Sequence, residues 1–103
     1  MTTPAGARPG KVEVLTPNTP GRSSFVDAAK YQAMRDAVLA CAPDSDPGCT
    51  VAELKAQVLP RLPQDLFPGG DTAGWWLKCV QLDLEARGGL KRARGSPVRL
   101  YRA

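Results

Sequence analysis

Apolar side chains recur along this chain with two periods, and each period predicts an element. KVEVL, residues 11–15, alternates: Val12 and Val14 share one face, while Lys11, Glu13 and Leu15 share the other, as in a short strand. TPNTPGR follows, and two prolines and a glycine within seven residues end the strand. From Asp27 to Cys41 the period lengthens. Tyr31, Met34, Val38 and Cys41 follow at steps of three and four, one stripe of a helix that Asp27 is placed to cap and Pro43 to stop.

Thr50-Val-Ala-Glu53 forms a capping box ahead of Val51, Leu54 and Val58, predicting a second helix that Pro60 and Pro63 terminate. In LFPGGD, residues 66–71, Leu66 and Phe67 are suited to plug the edge of a core. A third helix is predicted from a cap at Asp71 or Thr72 to about Arg87, where Gly88-Gly89 stops it. In LKRARGSPVRLYRA, Leu90 is in pattern with Val98 and Leu100 around Gly95-Ser96-Pro97, which reads as a β-hairpin with a basic outer surface. The predicted fold class is therefore mainly α with a small β-hairpin (α+β): a short N-terminal strand, three helices and the hairpin. Residues 1–10 read as a loose N-terminus and 11–103 as a single domain.

The third helix carries two apolar sectors. At about 100° per residue, Trp75, Cys79, Leu82 and Ala86 fall together, and Trp76, Leu77, Val80 and Leu84 fall beside them. Gly74, Lys78, Gln81 and Glu85 make the continuous polar face, while Asp83 and Arg87 are spaced for an i,i+4 ion pair. Because neighbouring positions diverge, Trp75 and Trp76 point into different surroundings: at least one is expected in the core, and the other is a candidate for a partner or ligand groove.

Charge adds an asymmetry that the net +4 conceals. Residues 1–86 carry eight Lys/Arg against all ten Asp/Glu, whereas residues 87–103 carry Arg87, Lys91, Arg92, Arg94, Arg99 and Arg102 with no acid. Such a tail suits double-stranded DNA or an acidic protein partner. The absence of histidine removes Cys/His zinc sites and histidine-dependent nucleophiles. Cys41, Cys49 and Cys79 are too few and too scattered for a disulfide framework. A Cys41–Cys49 bridge is conceivable, but free thiols are expected, with Cys41 and Cys79 packed as small hydrophobes. Asp44 and Asp46 begin like a calcium loop whose later ligands are missing, and Gly69-Gly70 lacks the lysine and further glycines of a nucleotide loop. Neither a cofactor nor an enzymatic activity is expected. With no long apolar run and no signal-like start, the chain is expected in the cytoplasm rather than in a membrane.

The segment VQLDLEARGGLKRARGSPVRLYRA resembles the end of many winged helix-turn-helix regulators, and the likeness extends over roughly residues 26–103. It implies that the third helix enters the major groove while the hairpin, as a wing, contacts backbone or minor groove. Lys91, Arg92, Arg94, Arg99 and Arg102 would then neutralise phosphates, and Lys78 and Gln81 would reach base edges. Glu85 on the same face, and Asp71 near its start, oppose a phosphate there, so the wing would lead. The alternative is an interaction or adaptor module, since a fold does not fix its use. A closer resemblance rests on KVEVLTPNTPGR, VDAAKYQAMRDAVLA, LFPGGDTAGWWLKCVQLDLEARG and PVRLYR, which are similar to phrases of a family of small uncharacterised bacterial proteins, a domain of unknown function. It spans nearly the whole chain, implies a complete one-domain protein and brings no activity with it.

Overall fold

A computed structural model describes residues 10–16, 21 and 23–103; the loose N-terminus expected for residues 1–10 lies, as far as residue 9, outside the described residues, as does most of the break at 16–22. The described chain is a small α+β domain of three helices and two small sheets.

Strand β1, Lys11–Leu15, pairs antiparallel with β2, Ser23–Asp27, so that Val12 lies opposite Val26 and Val14 opposite Ser24. The second of these strands was not expected. Its apolar alternation is diluted by Ser23, Ser24 and Asp27, and pairing with β1 rather than its own propensity makes it a strand. Asp27 also caps helix α1, Ala28–Cys41, its carboxylate accepting from the Lys30 N–H at 2.9 Å. The α1 stripe buries Tyr31, Met34 and Val38 as expected, and Ala37 with them.

The loop after α1 leads into a two-residue strand, β3, Cys49–Thr50, also unforeseen. What reads in sequence as a simple turn is an approach to a sheet. Gly48 has φ +75°, and a Cβ there would lie 1.9 Å from the backbone oxygen of Leu100, so only glycine fits. Helix α2, Val51–Val58, starts with the expected capping box: Thr50 Oγ1 accepts from the Glu53 N–H at 3.1 Å, and Glu53 Oε1 accepts from the Thr50 N–H at 2.8 Å. Beyond it Phe67 is fully buried and Leu66 half-buried, so the plug is mainly Phe67.

Helix α3 spans Ala73–Arg87, but its side-chain cap is absent. Thr72 adopts φ +60°, and its hydroxyl donates back to the Asp71 carbonyl at 2.6 Å instead of accepting from the first-turn amides. The left-handed turn that redirects the chain into α3 has taken the hydroxyl away from its capping position. At the other end Gly88, φ +84°, lets the Gly89 N–H reach the Leu84 carbonyl at 2.7 Å, as a helix-ending glycine does. Strands β4, Leu90–Arg92, and β5, Arg99–Arg102, form the hairpin, and β3 joins it in the order β3-β5-β4. One core runs through all of these elements, centred on Met34, Val38, Leu54, Val58, Phe67, Val80 and Leu100.

Candidate functional site

The helix with two apolar sectors divides them unequally. Trp76, Leu77, Val80 and Leu84 face the core, whereas Trp75 is 60% exposed and is the exposed large hydrophobic residue among the described residues. Cys79 and Leu82 are half-buried and Ala86 is exposed. The two indoles nevertheless touch, edge to face, with centroids 5.0 Å apart, so the buried ring supports the exposed one.

Beside Trp75 lies an open groove of about 580 Å³ between α3 and the inner face of the β1-β2 hairpin. Val14 and Val26 line it from the hairpin, and Trp75, Lys78, Cys79 and Leu82 line it from the helix. Across the ridge of Gly74, Lys78 and Leu82 is a second cleft of about 510 Å³, where α2 and the C-terminal hairpin contribute Lys55, Arg92 and Val98. Lys55 leans over the start of α3, its Nζ 3.4 Å from where a Cβ would stand on Gly74. No local signal in the sequence marks Lys55 as part of this surface; the packing of α2 against α3 brings it there.

The wall of the first groove is fixed by Asp83. This carboxylate is fully buried and accepts from the Leu15 N–H at 2.8 Å, from Arg87 Nε at 2.8 Å and from the Tyr31 hydroxyl in a short hydrogen bond. Arg87 then donates to the Glu13 carbonyl at 2.9 Å. The expected i,i+4 pair thus exists, and it also fastens β1 to α3. Burial, reinforced by the hydrogen bond and charge of Asp83, pushes the Tyr31 phenol up to about 12. Burial and the same carboxylate push the Cys79 thiol up to about 11, which makes it a poor nucleophile at neutral pH.

Of the residues expected to meet nucleic acid, the structure brings Lys78, Gln81 and Arg92 together around the second cleft, whereas Lys91, Arg94, Arg99 and Arg102 lie outside it. Gln81 is buried rather than displayed, and its amide donates to Glu85 Oε2 at 3.0 Å, because its position on α3 turns toward the wedge between α2 and the C-terminal hairpin. Arg92 stands opposite Leu100 in the register, hence on the face that looks at the core. There it grips Glu85 with Nε at 2.8 Å and Nη2 at 3.0 Å. Arg99 lies 3.8 Å from Glu53 and Arg102 lies 3.9 Å from Asp44. The basic outer surface expected of the hairpin is therefore partly answered by carboxylates of the same domain. Among the described residues Lys55, Lys78, Lys91 and Arg94 have no carboxylate within ion-pair distance.

All three thiols are free, as expected; Cys41 and Cys79 pack half-buried against the core, and Cys49 is the buried one. The side chain of Cys49 sits where β3 enters the core, a strand whose existence the sequence did not disclose. Among the described residues no group of three or more His, Cys, Asp or Glu side chains could hold a metal ion, and no helix is long and apolar enough to cross a membrane. No curated protein and no solved structure matches the chain. The model of a family of unknown function, DUF6958, matches residues 11–100, from the start of β1 into β5, and the chain belongs to that family.

Proposed function

We propose that this protein is a winged-helix-like protein-interaction module whose docking surface is the outer face of α3. The order helix, short strand, helix, helix, hairpin, with β3 and β5 side by side, supports the winged-helix likeness. The observation that carries the function is Trp75: a large aromatic ring, 60% exposed, held over an apolar groove by a buried neighbour. Exposed aromatics set beside a pocket are the side chains that dominate protein interfaces.

DNA binding through the wing is the reading this displaces. A recognition helix needs polar groups that reach base edges, and α3 offers Trp75, Leu82 and one lysine there while Gln81 is turned inward. The Arg92 guanidinium is engaged by Glu85, which leaves Lys91 and Arg94 as the hairpin's unpaired cations among the described residues. Affinity capture with the wild type and with Trp75→Glu provides the test. A partner held by the wild type and lost by the folded variant is the expected result. Tight binding of duplex DNA that falls steeply with salt and is abolished by Lys91→Ala/Arg94→Ala would restore the wing-led reading.

A further inference from the structure

The two clefts that flank Lys78 carry charge of one sign. Lys78 is the charged residue lining the first, and Lys55, Lys78 and Arg92 are those lining the second, with no carboxylate on either wall. Arg92 is offset by Glu85, but Lys55 and Lys78 have no ion-pair partner among the described residues. Both ammonium groups stand around the first two turns of α3, Lys55 over Gly74 and Lys78 on the ridge between the clefts. Each cation is thus set next to apolar surface: Trp75, Leu82 and Cys79 on one side, Val98 and Leu77 on the other.

Resting on the docking role assigned to this face, we infer that its partner is an acidic amphipathic segment of another protein. An apolar side chain of that segment fills the groove beside Trp75, and its carboxylates meet Lys78 and Lys55. Complementarity of both kinds selects this occupant. A purely apolar segment would desolvate two ammonium groups without pairing them, which is costly. A nucleic-acid duplex would pair them but has no apolar anchor for a groove walled by Val14, Val26 and Leu82. An amphipathic helix with acidic flanks satisfies both demands, because anchors at i, i+3, i+4 and i+7 leave its other positions free for glutamate.

The experiment measures anisotropy of dye-labelled synthetic helices against the whole chain. One helix has Leu and Phe anchors with Glu between them, one has the same anchors with Gln, and one has Glu with the anchors changed to Ser. The first helix binds saturably, and the second and third bind at least about threefold to tenfold more weakly. Lys55→Gln/Lys78→Gln brings the affinity for the first helix down to that for the second; both side chains are exposed, so the variant keeps its fold. If Glu and Gln helices bind equally and Trp75→Glu abolishes both, the acidic partner is overturned while the docking face stands. If no helix binds, or a labelled oligonucleotide binds instead and is lost in the double lysine variant, the inference is overturned outright.

Discussion

The backbone N–H of Leu15 donates to the carboxylate of Asp83 across 2.8 Å and 68 residues of sequence. That one bond joins the N-terminal hairpin to the helix carrying Trp75, and the carboxylate, fully buried, is shared with Tyr31 and Arg87. Replacing it would leave a buried hydroxyl and a part-buried amide without acceptors. Asp83→Ala is accordingly expected to cost about 2 to 5 kcal/mol in urea unfolding, the sum of two or so unmet donors. A variant within 0.5 kcal/mol of wild type, on the order of a neutral surface substitution, would show that the clasp is dispensable.

The same cluster sets an alkaline limit. The Tyr31 phenol has a folded-state value of about 12 against an ordinary 10.0, raised first by burial and then by Asp83. A raised value means that the folded state holds the proton more tightly. The stability this contributes is present in full below about pH 10 and is lost as the pH climbs through about 12. Tyr31→Phe removes this dependence, so wild type and variant should converge in stability between those pH values. Parallel curves across that range would contradict the assignment.

The tryptophan pair separates stability from function. Trp76 is 8% exposed and Trp75 60% exposed. Trp76→Ala should lose about 3 to 5 kcal/mol as a buried aromatic does, whereas Trp75→Ala should stay within about 1 kcal/mol of wild type. A stable, well-folded Trp76→Ala protein would place the wrong ring in the core.

Gly48 tests the sheet that the sequence concealed. A Cβ there would stand 1.9 Å from the Leu100 oxygen, but one on Gly88, also at positive φ, would meet nothing within 4 Å. Gly48→Ala should therefore lose more than about 2 kcal/mol, and Gly88→Ala about 1 kcal/mol from backbone strain alone. Equal losses in thermal or urea unfolding would mean that β5 does not pass so close.

Much of this architecture was legible in the residues themselves. Helix stripes, the Asp27 and Thr50 caps, the Gly88 stop and the Asp83–Arg87 pair are local properties, fixed by spacing within a turn or two. The strands β2 and β3 were not legible, because Ser23-Ser24 and a two-residue Cys49–Thr50 carry no alternation of their own and exist by pairing with distant partners. For the candidate site the sequence narrowed the face but not its charges. Trp75 was recognisable as one of two rings, one bound for the core, yet helical angles alone do not say which apolar sector meets the other helices. The burial of Gln81 and the capture of Arg92 by Glu85 follow from how α2 and the hairpin wedge against α3. Lys55 joined the surface for the same reason.

The central claim, that the outer face of α3 is where a partner docks, has a direct readout because the chain contains two tryptophans. In a proton–nitrogen correlation spectrum of the labelled protein, each indole N–H gives its own signal, assigned with Trp75→Phe. Titration with the acidic amphipathic helix is predicted to move the Trp75 signal progressively to saturation, with the Lys78 amide, while the hairpin-tip amides of Arg94 and Gly95 stay in place. A Trp75 signal that stays fixed while those of Lys91 and Arg94 move on addition of duplex DNA would contradict the account.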